Sequence, residues 1–293
     1  MIRRILTTAA ALAALALPVS APPAMAKDPL AKDVFGAAAG PTGGKPAAIG
    51  FYSKGCISGA VQLPETGPSW QAMRLSRNRN WGHPQMIDFL IGLSQAAQKS
   101  GWRGLYIGDI GQPRGGPASS GHASHQMGLD ADIWMLPPSS LKLSAAQRED
   151  VSSVSVVNKA GTQLTEYWNP GTFSIIRAAA SDPRVERLFV DPVVKVAMCE
   201  QETGNRAYLR KIRPINAHNF HFHVRLSCPA GSVCQKQDPP PAGDGCAEAM
   251  EWIKNRIDPS RVKPVPPDPN YRHPRTYRLS EMPEQCQAIA VAR

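Results

Sequence analysis

Five of the chain's seven histidines fall in two short stretches, Gly121-His122-Ala123-Ser124-His125-Gln126-Met127-Gly128-Leu129-Asp130-Ala131-Asp132 and His218-Asn219-Phe220-His221-Phe222-His223-Val224-Arg225. None lies between residues 133 and 217, so the clustering does not come from a generally His-rich chain. Imidazoles and carboxylates together suit zinc, and a zinc with three protein ligands keeps a fourth position for water. The chemistry this predicts is hydrolysis. No H-E-x-x-H helix, no G-x-S-x-G elbow and no serine or cysteine in a comparable constellation offers a rival centre.

The spacing also says how these groups are carried. Phe220, Phe222, Val224 and Leu226 alternate with His221, His223 and Arg225, the period of a half-buried strand. Leu129, Ala131 and Ile133 alternate likewise with Asp130, Asp132 and Trp134. Residues two apart on a strand point the same way, roughly 6.6 Å from each other, so two neighbouring strands would face their histidines and acids to one site.

His125 and Asp132 are expected as ligands, with Gly128 giving the bend that returns a loop histidine over the strand. One of His221 and His223 completes the ligand set and the other sits over the open position; the spacing does not say which. His122 fits a further ligand or a hydrogen-bonding wall. Asp130 fits a partner that orients an imidazole, or a solvated acid. His218 fits the rim of the site or a structural role. Arg225 reads as a surface ion pair before a substrate-carboxylate contact. His83, beside the polar stretch 77–82, fits a groove wall or a helix-entry loop, and His273 is assigned nothing.

Around these stretches the chain reads as α+β, helices and strands mixed without strict alternation. Helices are expected over 84–99, 173–180, 191–201 and 247–255, and strands over 105–110 and 185–190. The Gly- and Pro-rich loop 113–120 leads into the first histidine cluster. Residues 1–26 have the form of a signal peptide: Arg3 and Arg4, an apolar run from Ala9 to Leu17, then Ala24-Met25-Ala26. Residues 27–55 read as an extended segment that wraps the surface, and 56–293 as one domain with a Pro-rich tail. No later stretch reaches membrane-spanning length.

The formal charge of +10, two units of it from Arg3 and Arg4, favours anionic partners such as cell-wall polymers. Nucleic acid is not expected of an exported chain, and a homodimer is left open. Six cysteines in an oxidising compartment imply disulfides, with Cys228 and Cys234 close enough to pair locally across a Pro-Ala-Gly turn.

The motif from Ser124-His125-Gln126-Met127-Gly128 through Asp132, followed by His221-Phe222-His223, resembles the H-x6-D and H-x-H signature of the LAS metallopeptidases, the lysostaphin, D-alanyl-D-alanine peptidase and sonic hedgehog relatives. The fuller run 121–132, with six cysteines, is similar within that group to the penicillin-insensitive murein endopeptidases, from about Cys56 to Cys286. The resemblance implies His125, Asp132 and His223 as zinc ligands, His221 as base or transition-state stabiliser, and His122 and His218 nearby. It also implies the pairs Cys56–Cys286, Cys199–Cys246 and Cys228–Cys234, and a small antiparallel sheet flanked by helices. The implied activity is hydrolysis, in the periplasm, of the D-alanyl-diaminopimelyl crosslinks of peptidoglycan, indifferent to β-lactams. The alternatives are a zinc D,D-carboxypeptidase or dipeptidase, and a zinc-stabilised wall-binding module without turnover.

Overall fold

The structure is a computed structural model and describes residues 28–292. The expected signal peptide lies outside the described residues. After α1 (Ala31–Gly36), strands β1 (Ala47–Phe51) and β2 (Lys54–Ser58) form an antiparallel hairpin. The segment before Cys56 is therefore partly regular, and Cys56 itself sits within β2. Short strands follow: β3 (Val61–Gln62), β4 (Thr66–Gly67), β5 (Trp70–Ala72) and β6 (Trp81–Gly82).

Helix α2 (Pro84–Lys99) forms where local chemistry dictates. The His83 side chain caps its first turn, Pro84 supplies the preset φ at the first position, and Met86, Ile87, Phe89, Leu90, Leu93 and Ala97 make one buried stripe. Next come β7 (Leu105–Ile107), β8 (Asp130–Trp134), α3 (Ala145–Asp150), α4 (Pro170–Ser181), β9 (Val185–Val190) and α5 (Pro192–Gln201). Asn169 and Asp191 cap α4 and α5, each followed by proline. The chain ends with β10 (Ile212–Pro214), β11 (His221–Leu226), β12 (Val233–Cys234), α6 (Cys246–Ile257) and α7 (Glu284–Val291).

The main sheet has seven strands in the order β10-β9-β11-β8-β7-β5-β4. Its centre, β9-β11-β8-β7, is antiparallel as expected, but the pairs β9/β10 and β5/β7 are parallel, so the sheet is larger and more mixed than the anticipated small antiparallel one. One face, carrying Leu105, Ile107, Ala131, Ile133, Phe222 and Val224, joins a continuous core with residues of α2, α4 and α5. The other face carries Asp130, Asp132, His221, His223 and Arg225.

That second face is not open to water as a half-buried strand would be. All of β8 is buried, and of β11 only His221 is partly exposed. The reason is the connection between β7 and β8, which folds back over the strands. No helix among the described residues is long and apolar enough to cross a membrane.

Disulfide Cys56–Cys286 fastens α7 to β2, Cys199–Cys246 joins α5 to α6, and Cys228–Cys234 closes the turn after β11. A link across 230 residues holds the Pro-rich tail to the body.

Candidate metal centre

Register fixes the heart of the site. Strands β8 and β11 pair antiparallel with His223 opposite Asp132 and His221 opposite Trp134, which brings the acids of one strand to the histidines of the other. The β7–β8 connection brings in the rest. Gly128 turns the chain with φ +65°, where a Cβ would stand 2.8 Å from the His83 nitrogen and 2.9 Å from Gly82 Cα. His125 itself has φ +66°, a strained backbone for a non-glycine residue, held by its N–H donating to Asp130 Oδ2 at 3.0 Å. Gln126 latches the same loop to the β1–β2 hairpin, accepting from Gly55 N and donating to Ser53 O.

Four imidazoles converge on Asp132. From its Oδ1, His223 Nδ1 lies 3.2 Å, His125 Nε2 3.4 Å and His221 Nε2 3.5 Å; His122 Nε2 lies 3.2 Å from Oδ2. His122 Nε2 is also 3.3 Å from Asp109 Oδ2. The donor atoms of His122, His125 and Asp132 fall within 4.8 Å of one another, a group able to hold a metal ion.

The remaining ring nitrogens show which imidazoles are presented. His125 Nδ1 donates to the Ile110 carbonyl at 2.9 Å, because a carbonyl can only accept, so in the neutral ring Nε2 carries the lone pair. His223 Nε2 bonds Asp130 Oδ1 at 2.9 Å, leaving Nδ1 toward Asp132. Such outer partners fix tautomer and ring plane in metal-ligating histidines. His125 Nε2, Asp132 Oδ1 and His221 Nε2 are buried with no hydrogen-bond partner. Leaving such atoms unsatisfied costs free energy, and a cation accepting their lone pairs removes that cost. The residues present therefore fit a metal.

Electrostatics point the same way. Burial alone would raise the Asp132 carboxyl, yet the neighbouring His221, His125 and His122 hold it well below its usual range. Asp130 is likewise depressed against its burial by Arg225 and His223. Asp109, buried too, is held at about 2 by the His122 hydrogen bond and by Arg79 and Arg77. Burial lowers His221, and pushes His218 down to about 4, so both are neutral at pH 7. His218 donates Nδ1 to the Asn216 carbonyl at 2.9 Å, and its ring centre lies 5.1 Å from that of His221.

Every histidine of the two clusters is thus brought to one place, and one chain supplies them all. Arg225 departs from the expected surface ion pair. It is buried, its Nε donates to Asp130 Oδ1 at 2.7 Å, and its guanidinium lies over Tyr52 at 4.1 Å and Phe189 at 5.2 Å, so it cannot reach a substrate. Asp130 is no solvated acid; it ties His125, His223 and Arg225 together. His83 and His273 stand apart, each capping a helical turn. Asp109 and Arg74 escaped the sequence reading, whereas Arg77 lies in the polar run 77–82 read there as a possible groove lining. They line the same cavity as His122, Asp132 and His221.

The family model for penicillin-insensitive murein endopeptidase matches residues 48–291. The chain belongs to that family. Among similar members, the penicillin-insensitive murein endopeptidase of Haemophilus influenzae is 44% identical over 232 residues, covering 77% of this chain and 81% of the relative. Those of Klebsiella pneumoniae and Escherichia coli are each 38% identical over 252 residues, covering 85% of this chain and 88% of the relative. The match to this murein endopeptidase family spans both histidine clusters and the six cysteines.

Proposed function

We propose that the chain is a periplasmic zinc endopeptidase that hydrolyses the D-alanyl-diaminopimelyl crosslinks of murein, with His125 Nε2, Asp132 and His223 Nδ1 as ligands and His221 as proton acceptor. The observation that carries this is the set of buried, partnerless nitrogen and oxygen atoms converging on Asp132 Oδ1. His122, although it stands with His125 and Asp132 in a compact donor group, is assigned to the wall because its Nε2 also lies 3.3 Å from Asp109 Oδ2, a contact His125 and His223 do not make.

Bound zinc would supply a Lewis acid and lower the pKa of water to about 7. The protein's own residues do the rest. His221, neutral at pH 7 with its Nε2 free, takes a proton from the attacking water or steadies the developing oxyanion. His218 packs beside it, with ring centres 5.1 Å apart. Asp109 and His122 form one wall. The cavity's hydroxyls, Ser152 and Ser153, are engaged by Arg74 and by the Phe220 carbonyl, and among the described residues neither hydrogen-bonds a histidine or a carboxylate, so neither is held as the activated nucleophile that a β-lactam acylates.

Mass spectrometry of crosslinked muropeptide dimers, digested with and without chelator, tests the reading. Chelator-sensitive release of monomers supports it. Loss of terminal alanine alone makes the protein a carboxypeptidase, and binding without any chelator-sensitive product makes it a wall-binding module.

A further inference from the structure

The cavity that opens onto Asp132 and His221 has a volume of about 340 Å³ and is lined also by Arg74 and Arg77. These two cations are not equivalent. Arg77 Nη1 stands 3.2 Å from Asp109 Oδ2 and shares that carboxylate with Arg79 and His122. Arg74 pairs with no carboxylate among the described residues; its Nη2 donates to Ser152 Oγ at 3.1 Å and its guanidinium lies 5.7 Å over the Trp134 ring. The acid nearest in chemistry, Glu149, is occupied by Ser76, whose N and Oγ donate to it at 2.8 and 3.0 Å.

The backbone around these residues is unusual as well. Arg74 (φ 58°, ψ 50°) and Asn78 (φ 49°, ψ 48°) both adopt the left-handed conformation, one on each side of the single turn Leu75–Arg77. Two non-glycine residues in that region are sparsely populated states that persist where surrounding contacts over-determine them, a pattern found at ligand clamps. Arg74 is thus a half-buried cation in the same cavity, held by a hydroxyl and an aromatic face; the Glu149 carboxylate lies within reach of its field but is hydrogen-bonded to Ser76 rather than to Arg74.

We propose that Arg74 is the specificity-determining residue that receives the carboxylate on the carbon next to the scissile amide nitrogen, the one borne by the diaminopimelyl side of the crosslink. This rests on the endopeptidase reading above. In that amide the amine-side carbon carries its own carboxylate, ionised at neutral pH. When the carbonyl lies at Asp132 and His221, the carboxylate falls a few bonds away in the same cavity. A guanidinium fork matches a carboxylate with two parallel hydrogen bonds, and the Trp134 face and Ser152 hydroxyl fix its plane beforehand. Arg74 takes no part in bond breaking; it selects which amine-side residue is seated.

The test compares two substrates, a crosslinked dimer with that carboxylate free and the same dimer with it amidated, on zinc-loaded wild type, Arg74→Gln and Arg74→Lys. Expected is a wild-type preference for the free acid of about 10- to 100-fold in kcat/KM, expressed mainly in KM, that Arg74→Gln collapses toward one and Arg74→Lys restores in part. Calorimetric binding of the two dimers to the zinc-loaded His221→Ala protein, which leaves them uncut, should show the same ratio. Equal affinity of wild type for both dimers, or an Arg74→Gln loss of the same factor on both, overturns the assignment. Because binding is read without turnover, failure of the endopeptidase reading appears separately, as dimers that bind and are not cut. Should Arg74→Gln not fold, as its melting curve would reveal, the same comparison on Arg74→Lys decides: a smaller preference than wild type supports the assignment and an unchanged one overturns it.

Discussion

His223 and Asp130 are joined from Nε2 to Oδ1 at 2.9 Å, and this single bond decides which nitrogen of His223 faces Asp132. The same carboxylate accepts the His125 backbone N–H and the Arg225 Nε, so both histidine clusters are referred to one buried acid. Arg225 in turn is clamped between Tyr52 and Phe189. Orientation of the candidate ligands therefore comes from a chain of contacts that begins in the β1–β2 connection and ends at Asp132.

Asp130→Asn should lower zinc affinity about 10- to 100-fold while leaving the protein folded. The amide keeps an acceptor for one partner but loses the charge that balances Arg225 and steadies His223. Competition with a chromogenic chelator measures it, and unchanged affinity would show that the bond to His223 does not orient a ligand.

His221→Ala should reduce cleavage of crosslinked dimers by about 10²- to 10⁴-fold, the usual range for a lost acid-base group, with zinc stoichiometry unchanged. Loss of zinc together with activity would make His221 a ligand instead.

Much of this arrangement is legible in the sequence where the cause is local. Helices Pro84–Lys99 and Pro192–Gln201 begin where a side-chain cap and a proline stand together, and the strand Val185–Val190 has the expected bounds. Residue types and strand period bring the two clusters together only if their strands are neighbours, and β8 and β11 do pair. Illegible are the features made by distant partners. Asp109 looks like any strand-end acid until Arg79 is placed 2.8 Å from it, and Arg225 looks exposed until Tyr52 covers it. The parallel edges of the sheet rest on three-residue strands, too short to show a period. Which of His122, His221 and His223 would ligate a metal depends on what holds each ring's second nitrogen, and no spacing records that.

Removing metal should destabilise the fold, because the partnerless atoms around Asp132 are then left buried without a counter-charge. Zinc at about 100 times its dissociation constant should raise the unfolding free energy by about 2.7 kcal/mol over the chelated protein. Urea unfolding with and without zinc measures the difference; coincident curves would mean that the folded state holds no metal.

His83 gives a pH dependence away from the candidate ligands. Its Nδ1 accepts the Gln85 N–H at 3.3 Å at the start of α2, and burial lowers its pKa below the ordinary 6.5. The unfolded chain then binds more protons than the folded one just below pH 6.5. The stability tied to a neutral His83 is accordingly complete above that value and falls as the pH drops through the window beneath it, by at most about 1.4 kcal/mol per pH unit. His83→Asn keeps a capping acceptor and removes the titration. With both proteins metal-free, so that the other histidines contribute equally, wild type should lose stability faster than the variant between pH 6.5 and 5 and run parallel to it above pH 7. Parallel unfolding curves through the whole range would remove His83 from the acid sensitivity and leave it only its place at the helix end.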